Sequence, residues 1–227
     1  MKKKLLILFI LVIILFLIIV CDYFNLIPKK KYMALDFSIE ILKSDVDFNN
    51  NGVDDYTDFL LGAKKDAKNK PKYKSKYYSG GYPLDNEGVC TDVIWRAFKE
   101  AGYSLKDMVD KDIEKNPDDY KIKVIDKNID FRRVVNLRVF FDKYATVLTN
   151  DIFDIDEWMP GDIVIFGNNK HIGIVSDYRN KNGIAYIIHN GGQPVREEDY
   201  LPRAKVTKHY RFDTTKIDKD ILAGFDT

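Results

Sequence analysis

Cys90 stands in GVCTDVIWRAFKEAG (88–102), where Val89, Val93, Ala97 and Phe98 recur at helical spacing and Trp95 lies on a neighbouring face. Gly102 supplies a C-terminal stop, so the spacing predicts a helix that begins near the thiol. A thiol in that position feels the positive end of the helix dipole, which favours thiolate, the nucleophilic form. A free cysteine is more often a small buried hydrophobe, so Cys90 alone does not establish an activity.

Two of the three histidines supply what a thiol nucleophile needs. WMPGDIVIF (158–166) reads as a strand entered through a Pro-Gly turn, and HIGIVSDYRNKNGIAYIIHN (171–190) as a β-hairpin turning at Asn180 to Gly183. With strand ends at Asp177 and Ile184, the midpoint falls between Asn180 and Lys181, and His171 and His189 lie opposite within one residue. Cross-strand neighbours are about 5 Å apart, although a one-residue slip would send the rings to opposite faces. On a shared face, Cys90 would attack a carbonyl carbon, and His171 would take the thiol proton and return it to the leaving amine. His189 would bond the other nitrogen of His171, with Asn190 as its substitute if the register slips. The Cys90 backbone N–H, at a helix N-terminus, is a ready oxyanion donor. His209 in KHYRF reads as a structural histidine on a closing strand.

These elements need a folded scaffold, and 227 residues with 45% hydrophobic content can bury a sizeable core. A net charge of +1 gives no reason to invoke nucleic acid. Of the two cysteines, Cys21 closes the N-terminal apolar run, so the folded part has no internal disulfide and depends on packing. Leu5 to Cys21 is unbroken apolar sequence behind Lys2–Lys4, and with Tyr23 to Ile27 it is long enough to cross a bilayer. Bulky Ile18, Ile19 and Val20 disfavour a cleaved or lipidated signal. The expectation is an uncleaved single-pass anchor (1–27) with the rest of the chain outside the cytoplasm.

DFNNNGVDDYTD (47–58) fits the twelve-residue calcium loop. Asp47, Asn49 and Asn51 offer side-chain oxygens, Gly52 takes the turn, Val53 offers its carbonyl, and Asp55 and Asp58 complete the set. Flanking sequence compatible with helix predicts a calcium-type helix-loop-helix over 28–66. Its ion would be structural, with no cofactor for catalysis. Asp58 is one methylene shorter than the usual Glu, which implies modest affinity, and an Asn/Asp/Gly turn without metal is the alternative. Asp45 and Asp54 read as solvated acids. The Lys-rich stretch 67–81 reads as a solvated linker, followed by a main domain over 82–227.

Taken together, GVCTDVIWRAF, NIDFRRVVNLRVFF, PGDIVIF, HIGIVSD and HYRF resemble, in order, the bacterial family called domain of unknown function 1287, within the NlpC-type superfamily of papain-like cysteine peptidases and amidases. The resemblance spans about residues 53 to 212. It implies a papain-like α+β fold with the nucleophile helix on a small antiparallel sheet. It also implies Cys90 as nucleophile, His171 as base and His189 as third member. Members of the superfamily commonly cut amide bonds in peptidoglycan stem peptides. The familiar wall peptidases carry Asp-Cys-Ser-Gly where this chain has Val89-Cys90-Thr91-Asp92, which leaves the substrate open. Arg132 and Arg133 could clamp a substrate carboxylate, with solvated charge as the alternative. Tyr82 could supply a substrate or oxyanion contact, with a turn aromatic as the alternative. A wall-binding module without turnover and a thiol acyltransferase on another amide or ester are the competing functions.

Overall fold

In the computed structural model, which describes residues 2–225, the apolar run is one continuous helix, α1 (Lys2–Tyr23). None of its side chains is buried against the rest of the chain. At 1.5 Å per residue it is about 33 Å long, enough to cross the hydrocarbon core. Its length and composition are compatible with a single-pass anchor or a signal sequence.

The rest is a mixed α+β unit. Helix α2 (Asp55–Asn69) is capped by Asp54, which accepts from the Thr57 N–H and from the Ser44 N–H. Asp54 is therefore a structural cap and not the solvated acid expected. Strands β1 (Lys72–Tyr73) and β2 (Glu87–Gly88) form a short parallel pair that leads into α3 (Cys90–Glu100). Helices α4 (Leu105–Lys115) and α5 (Val134–Tyr144) follow. The remaining strands are β3 (Ala145–Val147), β4 (Ile163–Phe166), β5 (His171–Arg179), β6 (Ala185–Ile188), β7 (Glu197–Glu198) and β8 (Val206–Phe212). They make one antiparallel sheet in the order β3-β8-β4-β5-β6-β7.

Strand periodicity divides the core. Ile163, Ile165, Ile172, Ile174 and Phe212 face the helices, where Phe59, Phe98 and Phe141 fill the layer between. Val164, Phe166, Val175 and Ile187 point to the other face and pack with Trp158 and Leu201. Strand β4 (IVIF) and residues 172–175 of β5 (IGIV) carry no polar side chain because both sides are covered there.

One expectation changes here. The segment 28–66 is not a separate helix-loop-helix: before the calcium-type loop there is only a 3-10 turn at Ala34–Phe37. Ser38 leaves that turn in the left-handed region (φ 58). Ten residues on, Phe48 stacks on Tyr103 with ring centres 4.1 Å apart, which ties this segment to the main body. Likewise α2 shares one core with α3, through Phe59, Leu60 and Ala63 against Val93, Ala97 and Phe98.

Candidate active site

The Cys90 helix begins where it does because Asp92 holds its first turn. Asp92 Oδ2 accepts the Val89 N–H at 2.7 Å, and Oδ1 accepts Trp95 Nε1 at 2.8 Å. Arg132 then closes on both oxygens, Nε and Nη2 each at 2.8 Å, in a bidentate pair that is almost wholly buried. Thr91 Oγ1 donates to the Arg132 carbonyl at 3.1 Å. The residues either side of the thiol are thus fixed by side-chain bonds, and the Thr-Asp that departs from the familiar motif is what fixes them.

Helix α3 packs across β5, and the Ile172 N–H is directed at the Cys90 thiol, one residue from His171. Burial pushes the Cys90 thiol up to about 11, against backbone N–H groups of Ile172, Thr91 and Cys90 that favour the thiolate. The dipole argument therefore loses to desolvation, and the resting group is a neutral thiol. No hydrogen bond joins it to His171 in this structure.

The hairpin turns later than the sequence suggests. Arg179 pairs with Ala185, and an irregularity between Val175 and Arg179 brings the ladder to Val175–Ile187 and Ile174–Ile188. Continuing that register sets Gly173 opposite His189. His171, two residues from Gly173, shares its face. His171 Nε2 and His189 Nδ1 are 2.7 Å apart, with ring centres at 4.7 Å and planes nearly perpendicular. His189 Nε2 lies 3.0 Å from Glu198 Oε1.

These contacts fix the protons. A carboxylate only accepts, so His189 carries hydrogen on Nε2 and accepts at Nδ1 from the Nε2–H of His171. His171 Nδ1 is left as a lone pair, with no hydrogen bond among the described residues. Burial, then the neighbouring His189, pushes His171 down to about 3, and burial lowers His189 as well, so both rings are neutral near pH 7. Glu198 is held below the usual carboxylate range: burial raises it, but bonds from His189 and Arg203 outweigh that. Tyr200 walls the site, its ring centre 4.3 Å from His189 and 5.8 Å from His171. Gln193 Nε2 donates to the His189 carbonyl at 3.0 Å.

Of the residues expected from sequence, the fold thus joins His171 to His189 and sets Cys90 against the Ile172 N–H, one residue along β5 from His171. Asn190 is not an orienter: its amide donates to the carbonyls of Pro71 and Gly88, both at 3.2 Å. His209 is structural, stacked on Trp158 at 4.0 Å and bonded to Asp162 at 3.0 Å. Arg132 is spent on Asp92 and has no free edge for a substrate. Arg133 is on the surface, 3.9 Å from Asp130. Tyr82 packs on Trp95 and Phe131, its hydroxyl pushed up to about 12 by burial. Glu198 and Tyr200 were not anticipated. They lie in VREEDYLP, where three successive acids leave no pattern to single out the inward one, and β7 is two residues long.

In the calcium-type loop, Asp47 accepts from the Asn51 and Gly52 N–H groups, Asn49 from Asn51, and Asn51 from Val53, with Gly52 at φ 86 as its turn requires. The Asn49 and Asn51 amides both donate to Asp58 Oδ2 at 3.0 Å. Asp47, Asn49, Asn51 and Asp58 therefore converge. Asp55 does not join them, accepting instead from the Phe48 N–H and the Tyr103 hydroxyl. Among the described residues no group of three or more His, Cys, Asp or Glu side chains could hold a metal.

Against known proteins, residues 60–212 match the family model described as "Domain of unknown function (DUF1287)". The chain is 36% identical over 149 residues to the "Uncharacterized protein YijF" of Escherichia coli (strain K12), covering 63% of this chain and 72% of that one. No solved structure matches.

Proposed function

The chain belongs to the DUF1287 family, and from that premise we propose that it is a membrane-anchored cysteine hydrolase, acting outside the cytoplasm, that cuts amide bonds of peptidoglycan stem peptides. The carrying observation is the hydrogen-bonded line Glu198–His189–His171, which ends in an unprotonated nitrogen on the residue next to Ile172, whose N–H is directed at a helix-terminal thiol. Its order of parts fits a papain-like arrangement.

In the reaction, His171 Nδ1 takes the Cys90 proton as Sγ attacks the amide carbon. The positive charge that appears on His171 is stabilised through His189 by the Glu198 carboxylate, already ionised and fixed by Arg203. The Cys90 backbone N–H supports the oxyanion. His171 then protonates the leaving amine, and water, activated by the same nitrogen, hydrolyses the thioester. A neutral thiol and a neutral base are consistent with proton transfer concerted with attack. Cys–His contacts are commonly longer before substrate arrives. The calcium-type loop, packed under α3 through Asn49 on the Glu100 carbonyl at 2.8 Å, would take a structural Ca²⁺.

One observation favours a second reading. Cys90 is only 8% exposed and protonated at rest, as a structural thiol would be, so a wall-binding module on the same fold is the competitor. Incubating the full chain with purified peptidoglycan, with Cys90→Ala alongside, decides between them. New amine and carboxyl termini seen by mass spectrometry, and missing with Cys90→Ala, are expected. Binding to the wall without cleavage by either protein would establish the module instead.

A further inference from the structure

The segment leaving the membrane helix does not trail into solvent. Asn25, two residues beyond α1, donates from Nδ2 to Glu198 Oε2 at 2.7 Å. Arg203 donates to the same oxygen at 2.6 Å and reaches back to the Tyr23 carbonyl, its guanidinium 5.5 Å from the Tyr23 ring centre. Further along, Lys31 lies 3.5 Å from Glu197 and 4.1 Å from the ring centre of Tyr178. Tyr32 exchanges both backbone hydrogen bonds with Arg179, at 3.0 and 2.8 Å. Residues 24–32 are therefore a strap, fastened at one end to Glu198 and at the other to β5.

The strap has two consequences. Glu198 gives one oxygen to His189 and the other to Arg203 and Asn25, so the anchor side supplies a donor to the last member of the relay. Geometry also limits how far the site can stand from the bilayer. A 22-residue helix fills the hydrocarbon thickness and leaves Tyr23 at the interface, where aromatic rings settle. From Asn25, three successive hydrogen bonds, through Glu198 and His189, reach His171. Lys29, Lys30 and Lys31 on the strap complement anionic headgroups.

Building on the thiol-hydrolase reading above, we propose that the strap is part of the active site. Asn25 is a positioning residue for Glu198, and the site works at the bilayer surface on amides that are themselves tethered to the membrane. A domain strapped this closely meets, in the cell, those stem-peptide amides that come to the membrane surface.

The test uses the full chain in vesicles of phosphatidylcholine and phosphatidylglycerol. Iodoacetamide is supplied free in solution, or joined by a short spacer to a phosphatidylethanolamine headgroup in the same vesicles. Peptide mass mapping separates Cys90 from Cys21. The lipid-linked reagent is expected to alkylate Cys90 in wild type, about tenfold more slowly in Asn25→Ala, with recovery in Asn25→Gln. Glu198 faces His171, His189, Arg196, Asp199, Tyr200 and Arg203. Losing the Asn25 donor weakens its charged form, so the acid limb of Cys90 labelling by free iodoacetamide moves to higher pH. Free reagent labelling Cys90 with one rate and one pH profile in wild type and Asn25→Ala, or a lipid-linked reagent that never reaches it, overturns the strap proposal and leaves the thiol enzyme standing. A wild-type Cys90 no more reactive than a model thiol toward either reagent removes both.

Discussion

Gly173 faces His189 across the β5–β6 ladder, and a methyl group there would stand 3.1 Å from His189 Cβ, 2.9 Å from the Ile188 carbonyl oxygen and 2.7 Å from Ile187 Cγ2. The missing side chain at 173 is what lets the His189 ring lean along the sheet to reach His171. Gly173→Ala therefore displaces His189 and breaks the 2.7 Å contact. Amide cleavage is expected to fall at least about tenfold, with a destabilisation of about 1–3 kcal/mol from overpacking. Turnover and urea unfolding measured together check this; wild-type turnover in the variant would refute it.

Replacing His171 with Gln is expected to slow the reaction about 10²–10⁴-fold, the range for loss of a general base. Glu198→Gln should cost less, because an amide can still accept from His189 but carries no charge to balance imidazolium. A Glu198→Gln variant slower than His171→Gln would remove the assigned order of the relay.

Stability should drop in acid because His171 is buried neutral. Its folded-state value of about 3 lies below the unfolded value near 6.5, and His189 is lowered in the same sense. Below pH 6.5 the unfolded chain takes up the His171 proton and the folded chain does not, so that ring removes up to about 1.4 kcal/mol per pH unit, and His189 acts in the same direction. Asp110 is raised to about 6 by burial and acts in the opposite direction between pH 6 and 3.8. The clean measurement is therefore the difference between wild type and His171→Gln, whose unfolding free energies should converge as pH falls from 7 to 4.5.

Arg132→Met should destabilise by about 3–5 kcal/mol, because it strands the buried Asp92 carboxylate in the first turn of α3. Arg133→Met, at an exposed position, should change stability by less than about 0.5 kcal/mol. Chemical denaturation of the two variants separates a pinning arginine from a solvated one. Similar effects in both would contradict the assignment.

Calcium at 10 mM should raise stability by about 1.4 kcal/mol if the loop binds with a Kd near 10⁻³ M. Thermal melts with calcium and with chelator, repeated on Asp58→Asn, make the comparison. A calcium effect that survives Asp58→Asn belongs elsewhere on the chain.

From sequence, the membrane-length helix, the helix opening at Cys90, the strand at 163–166 and the histidine hairpin could all be read. Each rests on local periodicity or on a turn, and those signals are carried by neighbours in the chain. The inner and outer faces of β4 likewise follow from alternation. Other features depended on contacts between distant residues. The register irregularity after Val175 brought His189 opposite Gly173, two residues from His171 and on its face, where counting from the turn gave an offset of one residue. Arg132 was expected at a substrate and went to Asp92, forty residues earlier. Glu198 acquired its role only because β7 lies beside β6, and Asn25 only because the strap folds back over 173 residues of sequence. Cys90 looked like a thiolate from its place on a helix, yet its protonation was decided by burial against β5. Desolvation and long-range pairing depend on which surfaces meet, and that information exists only once the chain has packed.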